Sequence, residues 1–457
     1  MKYIVFLFAV LFISLSSCDD FVDIDPKGVI IPSTVEHYRG LLNNAKTTGE
    51  SAISYEIACD DIYFKESRIN SLESWQFNAY AWNDYYFNPE EIDFMWQQTY
   101  KEIADCNIII NGIDDAEGDQ IEKNYVKGEA HTFRALSYFL LVNMYGKSYD
   151  KNTFSNDLAV PLLLEAQVLQ QKPRATVETI YTQILDDLEA AEKLLSDSEK
   201  QKTTSPNAVK FHADLTTVYA LKMRVNLFMQ NYKGVITYGE KFFKRWPVEQ
   251  AIMDYNTLAS PVYLVPLFNP EHFYFQLPSG SYDFLQEAYL SDDLLSTFDK
   301  TKDLRLTFLA VPDGDKYQFN NFSNNLFPNP GFTTGEVLLT LAEAYVRNHE
   351  KNKALGLINQ LRQRRYNAAM YVPIELDKTN EKQSLTIVLN ERRKELMYHG
   401  KRFMDLKRLN KNPETAITFH RTINGVKKTI EPNDLRYQLA IPRDVKAMNP
   451  LLEQNPR

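Results

Sequence analysis

Apolar residues recur along most of this chain at the spacing of a helix face. Tyr125, Ala130, Phe133, Leu136, Phe139, Leu140 and Met144 fall near i, i+3, i+4, which predicts an amphipathic helix. Ile180, Ile184, Leu185, Leu188, Ala191 and Leu195 repeat the pattern after a start signal at Ala175-Thr176. Further helices are expected over 208–229, 232–243, 335–347, 351–365 and 384–398, the last stopped by His399-Gly400. Another is expected over 90–111. Short turns at Asn231-Tyr232 and at His349-Glu350-Lys351-Asn352 join neighbours into antiparallel pairs resembling tetratricopeptide hairpins. The expected fold is all-α: tetratricopeptide-like helical hairpins with a long loop-rich insertion.

Two stretches lack either period. One runs from Asp60 to Asn88. The other runs from Trp246 to Pro330 and carries repeated Pro and Gly. Long non-periodic insertions in a compact protein usually carry function. The first is dense in aromatic and amide side chains, and it places Arg68, Trp75, Tyr80, Trp82, Asn83, Tyr85 and Asn88 within 21 residues. Sugars offer apolar C–H faces and hydroxyl edges, so aromatic platforms beside amide and guanidinium forks suit them. These seven are the candidate ligand-binding residues, with Trp82 the leading one and Trp75 and Tyr80 beside it. The competing expectation is that the indoles fill the core. Trp96 and Trp246, on or beside helices, are expected in the core.

The N-terminus adds an address. Met1-Lys2-Tyr3 precedes an apolar run from Ile4 to Leu15, then Ser16-Ser17-Cys18. The run is short of the ~20 apolar residues a spanning helix needs, and it reads as a signal peptide over 1–17. Leu15-Ser16-Ser17-Cys18 resembles a bacterial lipobox, making Cys18 the lipidated first residue of the mature chain. The mature part, 18–457, reads as one unit: helical hairpins over 18–245, the insertion over 246–332, and a last hairpin with a charged block over 333–457. Cys59 and Cys106 could pair in an oxidising compartment or lie as buried free thiols.

Composition narrows the function. With 51 Lys and Arg against 60 Asp and Glu, the net charge is −9, so a nucleic-acid surface is not expected. No phosphate-binding glycine loop, zinc-protease helix or nucleophile elbow occurs, and none of the seven His pairs with another at i+3 or i+4. Adjacent Asp pairs such as Asp60-Asp61 and Asp292-Asp293 do not by themselves face each other as a catalytic dyad. No enzyme activity, metal or cofactor is expected.

The run from Glu391 to Arg408 is the densest in charge. Glu391, Arg392, Glu395, Arg402 and Asp405 are expected to be structural, since charges set among apolar helices persist when paired. The same run carries a resemblance. Glu391-Arg392-Arg393, then Gly400-Lys401-Arg402-Phe403 and Asp405-Leu406-Lys407-Arg408, resemble the signature of the SusD/RagB family, nutrient-uptake outer-membrane lipoproteins of Bacteroidetes. Ile441-Pro442 and Asn449 to Pro456 resemble its C-terminal ending. Glu129-Ala130, Phe133-Arg134-Ala135 and Tyr138-Phe139 resemble one of its helices, and Trp96, Tyr100, Ile103 and Asn107 the helix before it. Cys18 to Pro26 is similar to the family's start. His399 and Met404 depart from the usual pattern.

The resemblance implies a SusD-like fold, a lipid anchor through Cys18 at the cell surface, and no chemistry. It implies an oligosaccharide ligand, or in some relatives a peptide, handed to a SusC-like TonB-dependent transporter. A tetratricopeptide-type adaptor without a small ligand is the reading from another class.

Overall fold

The computed structural model describes residues 31–48, 52–166, 170–198, 211–247, 252–259, 269–276, 283–319 and 329–457. Cys18 lies outside them. The long helices are α1 (Val35–Thr48), α2 (Ser74–Tyr80), α3 (Phe94–Gly112), α4 (Gln120–Tyr145), α5 (Val177–Ser198), α6 (Leu215–Phe228), α7 (Tyr232–Arg245), α8 (Thr334–Arg347), α9 (Lys351–Arg365), α10 (Glu381–Glu395) and α11 (Arg402–Leu409).

Their ends follow from local chemistry. The Asp93 carboxylate caps α3 by accepting from Trp96 N, and Asp119 caps α4 by accepting from Ile121 N and Glu122 N. Such caps satisfy backbone N–H groups that the first turn leaves without partners. Asn380 and Gln383 form a reciprocal capping box on α10. That helix stops at Glu395, three residues short of the predicted Tyr398. Tyr398 and Gly400 take left-handed φ of +62° and +72° and turn the chain sharply. Gly400 has a second constraint: a Cβ there would lie 2.9 Å from Ile53 N.

The hairpins are present. α6 and α7 are joined across Met229–Asn231, and α8 and α9 across Asn348–Glu350; each turn hinges on one left-handed residue, Gln230 or His349. α4 is the central helix and packs against both α3 and α5. From Thr132 to Tyr145 every residue is buried, so its C-terminal half is covered on all sides rather than along one stripe.

The predicted insertion is not loop alone. Five strands, β2 (His272–Tyr274), β3 (Tyr289–Leu290), β4 (Ala310–Asp313), β5 (Lys316–Phe319) and β6 (Phe332–Thr333), lie within 246–333, with short helices at Asp292–Ser296 and Leu304–Leu309. Strands of two to four residues are too short for their alternation to register. β1 (Ile62–Tyr63), from the other non-periodic stretch, joins an antiparallel sheet of order β1-β3-β5-β4. A hairpin of β7 (Phe419–Ile423) and β8 (Val426–Ile430) closes the set. The sheet thus binds the two aromatic stretches together. Cys59 and Cys106 are both buried and free; Cys59 Sγ donates to the Glu56 carboxylate at 3.3 Å.

Candidate functional site

The stretch 66–88 is more ordered than its sequence suggests. Glu73 and Gln76 cap α2 reciprocally, and the helical turn then sends Gln76, Ala79 and Tyr80 inward and leaves Trp75 half-buried. The Trp75 indole stacks on Phe87 (centroids 5.8 Å apart, 14° between planes) and meets the edge of Phe284 at 6.4 Å. Its Nε1 donates to the Glu73 carboxylate at 2.8 Å. Arg68 pairs with Glu287 at 3.1 Å. Phe284 and Glu287 share one 3-10 turn, so a single element of the insertion grips Arg68 and Trp75. Asn88 is tied to the same patch, its Nδ2 donating to Ser74 Oγ at 3.1 Å.

Phe87 continues this surface into a cleft. Asn83, Tyr85 and Phe87 line it on one side; Arg436, Pro442, Arg443 and Arg457 line it on the other. Arg443 lies over the Tyr85 ring, 4.1 Å from its centroid. Asn83 is held by its Nδ2, which donates to Asn78 Oδ1 at 2.8 Å. Tyr55 and Asp93 lie at the cleft's buried end. Burial lifts the Asp93 carboxyl to about 6, against the opposing hydrogen bonds from Tyr145 and Tyr55. The structure therefore brings Arg68, Trp75, Asn83, Tyr85 and Asn88 to one aromatic, amide-rich surface.

Trp82 and Tyr80 are not part of it, which corrects the two other aromatic candidates. Trp82 is 1% exposed. Its backbone turns through φ +51° after α2, and the indole drops between the 3-10 segment Ala52–Ala58 and the β7–β8 hairpin. There Nε1 donates to Ala58 O at 2.8 Å, Phe419 packs edge-on at 4.8 Å, and Arg421 lies 4.6 Å from the ring. Tyr80 is 2% exposed, has Arg421 over its ring at 4.0 Å and accepts from Phe64 N at 3.3 Å. Partners more than 300 residues away in sequence decide both burials. Trp96 is buried as expected; Trp246 is half-buried, its Nε1 donating to Thr334 Oγ1. Phe87, Phe284, Arg443 and Arg457 were not among the expected residues. Phe87 follows Tyr85 in the same aromatic run and was within reach; Arg443 and Phe284 carry no local signal.

Two family descriptions match this sequence. Residues 22–227 match "Starch-binding associating with outer membrane", and residues 301–457 match "SusD family". The chain belongs to the SusD/RagB family. SusD-like protein P25 of Formosa agariphila is 24% identical over 205 residues, a match spanning 41% of this chain and 37% of the relative's length. A SusD superfamily protein from Bacteroides thetaiotaomicron superposes with a TM-score of 0.73 at 22% identity, covering 93% of this chain and 100% of that one. A SusD-like carbohydrate binding protein from Bacteroides vulgatus gives 0.65 at 18% identity, covering 92% and 97%. At these identities the solved structures establish the SusD fold.

In this SusD-family chain the charged signature is a buried ion-pair web. Glu391 takes Arg305 and Lys394, each at 2.7 Å; Glu395 takes Arg305 at 3.0 Å and Arg365 at 2.6 Å. Arg392 donates to Asp405 at 2.7 Å, and Arg402 forks onto Asp60 with two bonds of 2.7 Å. Burial pushes the Glu391 carboxyl up, yet Lys394, Arg305 and Arg362 outweigh it and hold it at about 2. The web ties α10 and α11 to residues 60–61 and to the insertion. Cys59, Asp60 and Asp61 bring ligand-type atoms within 4.8 Å of one another, but Arg393 and Arg402 already neutralise both carboxylates. Among the described residues no helix is long and apolar enough to cross a membrane.

Proposed function

We propose that this protein is a cell-surface lipoprotein that captures an oligosaccharide and delivers it to a SusC-like TonB-dependent transporter in the outer membrane. The observation that carries the reading is the partly exposed Trp75–Phe87 stack, flanked by Arg68, Asn83, Tyr85 and Asn88, in a chain whose family description includes starch binding. An indole face matches the C–H face of a pyranose, and the flanking amides and guanidinium match its hydroxyls. Cys18 supplies the anchor, so the helical body works tethered outside the bilayer. The SusC-like partner and the outer-membrane location are inferred from family membership.

A glycan array probed with the lipid-free chain, followed by calorimetric titration of Trp75→Ala, tests the reading. Binding of one glycan class, weakened by the substitution, supports it. Binding confined to peptides would replace the oligosaccharide with a peptide cargo. Co-purification of a large β-barrel with the tagged protein tests the transporter.

A further inference from the structure

The cleft beside Tyr85 has an excess of hydrogen-bond donors. Arg436 is occupied: its guanidinium forks onto Asp434 with bonds of 2.8 and 2.6 Å. Asp93 is likewise occupied by the Tyr55 and Tyr145 hydroxyls. Three other donors are not. Arg443 contacts the Tyr85 ring but forms no ion pair among the described residues. Arg457 uses Nη1 on backbone carbonyls, including Gln438 O at 2.8 Å, while its buried Nε finds no acceptor. The Tyr86 hydroxyl, on a side chain 7% exposed, also has no partner. Asp84 on the rim is the one exposed carboxylate in the lining; it hydrogen-bonds none of them, and its charge, with that of Asp434, acts on Arg457 from a distance. Buried donors are normally satisfied, and guanidinium forks bind oxyanions best.

The interior of the cleft holds about 30 Å³. A water molecule needs roughly 10–15 Å³ of such space. There is room for the oxygens of one substituent and not for a sugar ring. The Trp75–Phe87 stack adjoins the cleft, because Phe87 belongs to both.

We propose that the cleft is an oxyanion subsite, so that the captured oligosaccharide is acidic: a carboxylate or sulfate substituent enters between Arg443, Arg457 and the Tyr86 hydroxyl while the ring rests against the neighbouring aromatic surface. This rests on the oligosaccharide reading and narrows it to uronate-containing or sulfated chains. The −9 charge of the whole chain repels such ligands at long range, and salt screens that repulsion more than a close, partly buried contact, so recognition depends on these local donors.

The test is calorimetric titration with oligogalacturonides of one length, free and fully methyl-esterified, and with a sulfated galactan oligosaccharide, beside a broad glycan array. The free acid or the sulfate ester should bind at least tenfold tighter than the neutral ester, and the better of the two names the substituent. Arg443→Gln, Arg457→Gln and Tyr86→Phe should each erase much of that preference, with ~10–100-fold loss of free-acid affinity for either arginine and a much smaller loss of neutral-ester affinity. Thermal melts of the variants confirm folding; Arg443 is exposed and so gives the cleanest one. Equal binding of acid and ester, or a preference that survives Arg443→Gln, would overturn the subsite and leave glycan capture standing. An array on which neither neutral nor acidic glycans bind would overturn both.

Discussion

Arg305 and Glu391 stand 86 residues apart in the chain and meet at 2.7 Å, both almost wholly closed to water. Asp303, Glu395 and Lys394 complete the cluster. The cluster welds the insertion, through Asp303 and Arg305, to the signature helix α10. A buried charge that loses its partner is far costlier than a pair that was never formed. Glu391→Ala should therefore cost ~3–5 kcal/mol. Removing Glu375 from the exposed Glu375–Lys378 pair should cost ~1 kcal/mol at most. Urea denaturation of the two variants checks the contrast, and equal losses would contradict it.

Trp75 and Trp82, seven residues apart, should respond oppositely. Trp82→Ala opens a cavity in the core and removes a hydrogen bond to Ala58 O, so it should cost ~3–5 kcal/mol of stability while glycan affinity in the folded fraction is retained. Trp75→Ala should cost much less stability and lower glycan affinity about tenfold to a hundredfold. A denaturant melt and a titration on each variant decide the matter.

Acid should unfold the protein through specific carboxylates. Burial pushes Glu343 up, but Arg408 and Arg347 bring it down from 4.5 to about 2. A lowered folded value means that its contribution is full above pH 4.5 and is lost as the pH falls from 4.5 to 2; 2.5 pH units correspond to about 3 kcal/mol. Glu391, also held at about 2, adds in the same window. Asp93 acts with opposite sign: raised from 3.8 to about 6, it favours folding below pH 3.8, and that term is lost as the pH rises to 6. Urea midpoints from pH 7 to pH 2.5 should drop steeply below 4.5. In Glu343→Gln, less stable at neutral pH, the drop should be shallower.

Gly400→Ala should destabilise by ~1–3 kcal/mol. Left-handed φ disfavours any Cβ, and here the new atom would press on the backbone of Ala52 and Ile53. Gly425→Ala, in a left-handed turn with open space around it, should lose only the φ-related part. Paired thermal melts separate the two costs.

Cys18→Ala should release the protein from the membrane fraction. Protein that still sediments with membranes after a high-salt wash would show that the anchor lies elsewhere.

The sequence alone determined eight of the eleven long helices among the described residues and the two hairpin pairings; α1, α2 and α11 were not read from it. Apolar residues at 3.6-residue spacing, short polar turns and capping Asp, Asn and Thr residues act within a few positions of one another, so α4, α5, α7 and α9 are legible to within a few residues. The charged block from Glu391 to Arg408 announced a structural role, because so many charges among apolar helices need partners. Its partners were not legible: Asp60, Asp61, Asp303 and Arg305 lie in segments with no period. The same holds for the candidate site. Aromatic density pointed to residues 68–88, but tertiary contacts sorted that stretch into an inner and an outer set. Trp82 and Tyr80 went inward because Arg421 and Phe419, on a hairpin more than 330 residues later, closed over them. Trp75 and Tyr85 stayed at the surface, where the insertion and the C-terminal arginines came to meet them. Helical period reports which side of an element is apolar; which apolar side finds a cover depends on chain segments that only the folded structure brings together.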